Sequence, residues 1–181
     1  KTFNELTLNA KSQPHNPMIN AGAIMCGALL KSESLDASAR FDYVMKQWRE
    51  CAGQEKVGFD NAVYLSERQT ADRNFALAYF MREKKAFPPG VDLLDALEFY
   101  FQCCSIEITT RAMSIVAATL ANGGNCPLTG QQVFKPNHVK NCLSLMSSCG
   151  MYDFSGEFAF RVGIPAKSGV SGAIMLVVPN V

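Results

Sequence analysis

The segment HNPMINAGA, which opens at His15, places one amide among apolar neighbours. Asn20 lies near the start of an otherwise apolar helical pattern. An amide side chain carries both donors and an acceptor, so it suits the binding of another amide or of a carboxylate. The other interpretation is that Asn20 bonds to nearby backbone, as short polar side chains often do. These residues alone leave both interpretations open.

The segment SERQTADRN pairs a carboxylate, Glu67, with an amide, Asn74. The two residues are seven apart, which is about two helical turns, so they share a face if the helix is continuous. A carboxylate with an amide suits recognition of the α-amino and α-carboxylate groups of an amino acid. The alternative is a solvated surface helix with Glu–Arg pairs.

Two tyrosines stand among apolar anchors, Tyr100 in FYFQ and Tyr152 in GMYDFSG. A lysine ammonium near a phenol lowers the phenol pKa and allows it to carry protons. Each residue also fits a role as an amphipathic core tyrosine.

The run Lys167-Ser168-Gly169 precedes the last apolar stretch. A lysine at a strand edge, followed by small residues, lets a substrate lie along the exposed backbone. The next backbone N–H then acts as an oxyanion donor. A nucleotide-binding P-loop is excluded, because Ala166 stands where that motif requires glycine before the lysine.

Helices are predicted to carry most of these residues. Asn16 is expected to cap a helix with Pro17 at its first position, covering about residues 18–30. A second helix is predicted from Ala37 to Cys51, ended by Gly53. Further helices are expected at about 60–67, 72–84, 92–102, 136–150 and 151–160. One more is expected to begin at a capping threonine, residue 109 or 110, and to end at residues 122–124.

A strand is predicted only near the end. Residues 166–172 look like a Gly/Ser-rich strand entry, and residues 173–178 like a strand buried on both faces. Such a strand needs neighbours, and few others are predicted. We therefore expect residues 1–181 to form a single partial domain, truncated at both ends, of α-rich α+β class.

Composition excludes several classes of partner and site. The net charge of +1 favours neither nucleic acid nor a membrane surface, and the apolar runs are far too short to span a bilayer. Seven cysteines without a CxxC pair, and only two histidines, argue against a zinc site or a disulfide framework. We expect reduced, mostly buried thiols.

Several long strings, taken in order, resemble the glutaminase family, particularly animal mitochondrial glutaminases. They are HNPMINAGAI, SERQTADRN, EFYFQCCSIE, AATLANGGNCPLTG, LSLMSSCGMYDFSGEFAF and GIPAKSGVSGAIMLVVPNV. The resemblance covers essentially the whole chain. It implies a β-lactamase/penicillin-binding-protein-like fold, here incomplete, with a helical subdomain and a C-terminal sheet strand.

The resemblance also implies an activity, namely hydrolysis of L-glutamine to L-glutamate and ammonia through a serine acyl-enzyme, with no metal and no cofactor. The positions that match the family's substrate-binding residues are Asn20, Glu67, Asn74, Tyr100, Tyr152 and Val170. Among them Tyr100 and Tyr152 are implied to transfer protons. The backbone N–H of Val170 is implied to complete the oxyanion hole. Lys167-Ser168-Gly169 resembles the Lys-Thr/Ser-Gly strand motif of β-lactamases.

Two features depart from the family pattern. No Ser-x-x-Lys motif occurs in the 181 residues, and the resemblance places it N-terminal to the HNP segment. We therefore expect the nucleophile to lie upstream and the chain alone to be inactive. The segment 3–8 resembles an activation loop at a subunit interface, but Thr7 replaces the aromatic residue of kidney-type enzymes, which leaves interface packing and the phosphate response open.

The resemblance further implies a homotetramer, phosphate as an activator and a mitochondrial location. Two rival hypotheses remain. One is a penicillin-binding or β-lactamase relative, against which Glu67 and Asn74 argue because a β-lactam has no free amino-acid head there. The other is a non-catalytic helical interaction module, or a truncated product that docks on intact glutaminase subunits.

Overall fold

Helices form most of the secondary structure in the computed structural model, which describes residues 4–31 and 33–179. The helices are α1 Asn20–Leu29, α2 Ala37–Cys51, α3 Asn61–Gln69, α4 Asp72–Glu83, α5 Leu93–Cys104, α6 Thr110–Ala121, α7 Pro136–Cys149 and α8 Ser155–Arg161. A 3₁₀ turn, Tyr152–Phe154, precedes α8. The strands are β1 Val57–Phe59, β2 Ile106–Ile108, β3 Ala166–Ser168 and β4 Ile174–Leu176. The α-rich α+β class is therefore confirmed.

The chain divides into two compact units. Unit 1 contains residues 1–44 and 59–106, and unit 2 contains residues 45–58 and 107–181. The chain passes between them within α2, β1 and β2, and β1 and β2 form one two-stranded sheet. Among the described residues no helix is long and apolar enough to cross a membrane.

The core of unit 1 is built by α1, α4 and α5, which pack against one another. Helix α1 is almost wholly apolar, so it lies at the centre of its neighbours. Ile24 on α1, Leu77 on α4 and Leu97 on α5 are among its most completely buried side chains. Helix α3 packs on α5 and stays largely exposed.

Arg40 caps the C-terminal end of α1 with its side chain. It is buried, and its guanidinium donates to the carbonyl oxygens of Gly27 at 2.6 Å and Leu30 at 3.0 Å. The same group lies 4.1 Å from the centre of the Phe99 ring. The guanidinium therefore adds a second hydrogen bond to the Gly27 carbonyl, which also accepts the N–H of Leu30, and places a positive charge at the C-terminal end of the helix.

Unit 2 ends in a hairpin that packs on α6 and α7. Strands β3 and β4 pair antiparallel, with Lys167 opposite Met175. The N–H of Ser168 donates to the carbonyl of Gly150 at 3.1 Å, which ties β3 to the end of α7. A Cβ on Gly150 would lie 1.8 Å from the carbonyl oxygen of Ala166, so only glycine permits this approach.

Most predicted helix ends are confirmed, because local capping sets them. Helix α2 has the predicted bounds, Asp60 and Asp92 accept backbone N–H groups at the starts of α3 and α5, and Thr109 caps α6. The predicted start of α1 is wrong. The side chain of Asn16 accepts the N–H of Met18 at 2.7 Å in a local turn, so the helix begins only at Asn20.

The predicted ending of the chain needs two corrections. Residues 166–168 form the strand β3 itself, where only a strand entry was expected. Strand β4 is not buried on both faces, because Ile174 and Leu176 are about half exposed while Met175 is only partly covered. The run of apolar residues masked this alternation, since period-2 burial cannot be read where every residue is apolar.

Candidate active site

Asn20 and Asn74 meet in unit 1. The Nδ2 of Asn20 donates to the Oδ1 of Asn74 at 2.9 Å, and both residues are half-buried. Asn20 opens α1 and Asn74 lies in the first turn of α4. Each amide uses only one of its groups in this bond, so both keep donors and acceptors for a ligand. The Nδ2 of Asn20 therefore bonds to another side chain, and the interpretation that it bonds to nearby backbone is wrong.

Glu67 and Tyr100 share a neighbour, Cys104. Loss of hydration raises the pKa of the Cys104 thiol to about 11, a hydrogen bond with the Tyr100 side chain opposes that rise, and the negative charge of Glu67 adds to it. Burial of the thiol is the largest cause of the raised pKa, although Cys104 as a whole residue is exposed. The carboxylate of α3 and the phenol of α5 are therefore close enough to act on one thiol.

A clasp of three side chains, Tyr64, Arg68 and Glu98, joins α3 to α5. The hydroxyl of Tyr64 donates to Glu98 Oε2 at 2.6 Å, and Arg68 Nε lies 2.9 Å from Glu98 Oε1. Arg68 follows Glu67 directly and Glu98 precedes Tyr100 by two residues. The clasp therefore fixes the spacing between the elements that carry Glu67 and Tyr100.

Glu67 and Asn74 lie on two separate helices, as the predicted helices at about 60–67 and 72–84 imply, so the condition for a shared face is not met. Helix α3 ends at Gln69, and Ala71 caps α4 with a ψ of 7°. The break falls at Thr70, whose hydroxyl donates back to the carbonyl of Ser66 at 2.9 Å. Such back-bonding competes with helix continuation. The seven-residue spacing therefore does not place the two side chains on one face.

In unit 2 the structure brings Tyr152 and Lys167 together. The Nζ of Lys167 lies 4.3 Å from the centre of the Tyr152 ring and donates to the carbonyl of Ser168. An ammonium over an aromatic face is a favourable contact, and both residues are half-buried. The lysine ammonium thus lies over the face of the Tyr152 ring.

Val170 lies at the tip of the hairpin between β3 and β4. The N–H of Gly172 donates to the carbonyl of Gly169 at 3.1 Å and closes a tight turn, with Gly172 at a φ of 88°. Val170 is the second residue of that turn and is 82% exposed. The N–H of Val170 takes no part in the hydrogen bond that closes the turn. Val170 follows Lys167 by three residues in the sequence.

Sequence reasoning missed Cys104, Glu98 and Ser155, of which Cys104 and Ser155 lie four and three residues after a predicted tyrosine. Cys104 is four residues after Tyr100 on one helix, and Glu98 lies on the same helix. Ser155 follows Tyr152 by three residues and is buried. Residues three and four apart are neighbours on a helix, so the predicted tyrosines point to Cys104 and Ser155, whereas the two-residue spacing of Glu98 from Tyr100 gives no such signal.

Within residues 4–31 and 33–179, no group of three or more His, Cys, Asp or Glu side chains is arranged to hold a metal ion. The seven cysteines are free thiols. Burial raises the pKa of Cys51 and of Cys103 to about 12, so these thiols are protonated at neutral pH.

A family model described as glutaminase matches residues 1–181. The chain is 56% identical over 179 residues to the mitochondrial liver isoform of glutaminase from Rattus norvegicus, covering 99% of this chain and 30% of that protein. It is 42% identical to a glutaminase from Nostoc, covering 99% of this chain and 53% of the relative. The chain therefore spans about a third to a half of the length of these relatives.

A solved structure has the same fold. A Bacillus glutaminase crystallised in the presence of 4.3 M NaCl superposes with a TM-score of 0.90 at 36% identity, covering 99% of this chain and 59% of that chain. This match confirms the β-lactamase-like fold expected from the sequence. The family match over the full chain agrees with that fold, and the chain belongs to the glutaminase family.

Proposed function

We propose that this chain is part of an enzyme that hydrolyses L-glutamine to L-glutamate and ammonia. The observation that carries the proposal is the contact between Tyr152 and Lys167 in a chain of the glutaminase family, with the lysine ammonium 4.3 Å from the phenol ring centre. The pair supplies a proton carrier and a cation beside it. Amide hydrolysis needs both functions when the nucleophile is a neutral hydroxyl.

The proposed reaction has two steps. A serine of a Ser-x-x-Lys motif, outside these 181 residues, attacks the side-chain amide carbon while a lysine or tyrosine takes its proton. The C–N bond then breaks, the leaving nitrogen is protonated and departs as ammonia, and an ester to serine remains. Water attacks this ester and releases glutamate, which regenerates the serine hydroxyl. In both steps the oxyanion is held by the Val170 N–H and the N–H of the serine.

Recognition of the amino acid is assigned to unit 1. Glu67 is proposed to bind the α-amino group as an ion pair, and Asn20 and Asn74 to bind the polar ends of the substrate. The amide contact between the two asparagines at 2.9 Å supports their joint role.

The experiment measures ammonia release from L-glutamine by the full-length chain, with Tyr152→Phe and Tyr43→Phe as variants. Removal of a proton-transfer group costs about 10²- to 10⁴-fold in rate, and we expect Tyr152→Phe to lose activity on that scale. Tyr43 is the matched control, since Lys31 Nζ lies 5.5 Å from its ring centre. Its variant should keep wild-type turnover. A folded wild type without turnover would overturn the proposal and favour the interaction module.

Substrate recognition is tested with glutaramate, which is glutamine without its α-amino group. Glu67→Gln should raise KM for glutamine by about 10- to 100-fold, because a hydrogen bond to a charged group contributes roughly 1.5–3 kcal/mol. The same variant should leave KM for glutaramate unchanged. An equal loss for both substrates would show that Glu67 does not bind the amino group.

We further propose a homotetramer, activation by phosphate and a mitochondrial location. The relatives from rat and mouse are named as mitochondrial isoforms, which supports the location for this chain. Sedimentation of the full-length chain with and without phosphate tests the assembly. An unchanged oligomer size would count against phosphate-driven assembly, and import of the full-length protein into isolated mitochondria tests the location.

A further inference from the structure

Tyr152 adopts a backbone conformation that side chains rarely take. Its φ is 55°, in the left-handed region. In that region the Cβ of an L-residue crowds the backbone carbonyl, so a tyrosine stays there only when its surroundings hold it. The residue therefore needs a restraint that offsets this cost.

Both carbonyls that flank Tyr152 are held by hydrogen bonds. The N–H of Phe154 donates to the carbonyl of Met151 at 3.1 Å. The hydroxyl of Ser155 donates to the carbonyl of Tyr152 itself at 2.7 Å. The two peptide planes beside a residue define its φ and ψ, so these bonds fix the conformation of Tyr152.

Ser155 makes a second bond that completes the loop. Its Oγ accepts the N–H of Met151 at 3.0 Å, and the residue is only 5% exposed. The buried hydroxyl therefore uses its one donor and one of its acceptor positions within this turn. Among the described residues 151–155, Ser155 is the one whose side-chain hydroxyl bonds both to the N–H of Met151 and to the carbonyl of Tyr152.

The restraint matters because the partner of Tyr152 is itself fixed. Lys167 lies on β3, and β3 is tied to Gly150 through the N–H of Ser168. If Tyr152 relaxed to a negative φ, its ring would swing away while Lys167 stayed with the strand. The distance of 4.3 Å between the ammonium and the ring centre therefore depends on the turn.

We propose that Ser155 is a positioning residue, whose two hydrogen bonds hold Tyr152 in its left-handed conformation and so place the phenol beside Lys167. The inference rests on the proposed glutamine hydrolysis for its kinetic consequence. Its structural consequence is independent of that function.

The kinetic test uses Ser155→Ala in the full-length chain. A misplacement of about 1 Å costs on the order of 10²-fold in rate, so we expect kcat/KM for glutamine to fall by roughly 10- to 100-fold. Ser155→Thr keeps the hydroxyl and should restore most of the activity. Ser148→Ala is the matched control, because Ser148 Oγ donates to the Leu145 carbonyl at 3.2 Å on an exposed face of α7. It should retain wild-type kinetics.

A double-mutant cycle separates positioning from general destabilisation. In a Tyr152→Phe background, Ser155→Ala should cost less than about 3-fold further, since a positioning residue has no phenol left to place. Multiplicative losses would overturn the proposal. If Ser155→Ala does not fold, Ser155→Cys preserves the size of the side chain with weaker hydrogen bonds and takes its place in the cycle.

A crystal structure of Ser155→Ala gives the readout that needs no turnover. We expect Tyr152 to leave the left-handed region and its ring to leave Lys167. An unchanged φ at Tyr152 would overturn the inference even if activity fell. Absence of turnover in the wild type would instead contradict the proposed function, and this structural comparison would still decide the role of Ser155.

Discussion

The hydrogen bond between Asn20 and Asn74 has a direction, and the direction has consequences for each partner. Asn20 supplies the donor and Asn74 the acceptor, at 2.9 Å between half-buried side chains. An aspartate at position 74 still accepts, whereas an aspartate at position 20 sets one acceptor against another. The two isosteric changes are therefore not equivalent.

We predict that Asn20→Asp lowers the free energy of unfolding by about 1–3 kcal/mol, the range for a lost bond that leaves a group unpaired. Asn74→Asp should change it by less than about 0.5 kcal/mol, because the bond is kept. Urea unfolding of both variants at pH 7 measures the difference. The opposite order would show that Asn74 is the donor.

At the scale of elements, the clasp of Tyr64, Arg68 and Glu98 sets the distance between α3 and α5. Glu98 accepts a hydrogen bond from the phenol of Tyr64, and this bond raises the pKa of Tyr64 above its ordinary value of 10.0. A raised pKa means that the folded state favours the neutral phenol. Its contribution to stability is therefore complete below pH 10 and is lost as the pH rises through the folded pKa.

We predict that Tyr64→Phe lowers the free energy of unfolding at pH 7 to 9 by about 0.5–1 kcal/mol, the value of one partly exposed hydrogen bond. Above pH 10 the difference between wild type and variant should shrink towards zero. Denaturant unfolding at several pH values measures it. A difference that stays constant through pH 11 would contradict the assignment.

Glycine at position 150 joins two elements of unit 2. A Cβ there would lie 1.8 Å from the Ala166 carbonyl oxygen, whereas a Cβ on Gly156 in α8 would meet nothing within 4 Å. We predict that Gly150→Ala lowers the free energy of unfolding by about 1–3 kcal/mol through overpacking. Gly156→Ala should raise it by roughly 0.5–1 kcal/mol through helix propensity. Thermal unfolding compares them, and equal stabilities would contradict the close approach.

At the scale of the whole molecule, the proposed mechanism takes its nucleophile from a Ser-x-x-Lys motif. That motif does not occur in the 181 residues, although the residues proposed to bind substrate are present. We predict that the purified 181-residue chain releases no ammonia from glutamine above a buffer blank. Without the serine no acyl-enzyme forms. Appreciable hydrolysis by this chain would show that another residue acts as nucleophile.

Local chemistry explains which parts of the fold the sequence predicts well. The bounds of α2 and the starts of α3, α5 and α6 follow from side chains that cap their own helix, such as Asp60 and Thr109. The break between Glu67 and Asn74 agrees with the separate helices predicted at about 60–67 and 72–84. The exposure of β4 depends on packing and is not visible in residue spacing.

The site shows the same division. Residue types and family resemblance predict Asn20, Tyr100 and Tyr152 as site residues, but they do not indicate which groups orient them. The contact between Asn20 and Asn74 joins residues 54 apart in sequence, and only the fold brings them together. Ser155 escaped notice because one serine in a turn has many roles, and its two bonds on either side of Tyr152 appear only in three dimensions.

The left-handed conformation of Tyr152 also bears on how variants at this position should be interpreted. Glycine and asparagine tolerate a φ of 55°, whereas valine and isoleucine do not. In a mutational scan that scores protein abundance and turnover separately, glycine and asparagine at position 152 should preserve abundance and abolish turnover. Valine and isoleucine should reduce both scores. The effect of a substitution at position 152 on function is therefore underestimated if protein abundance alone is measured.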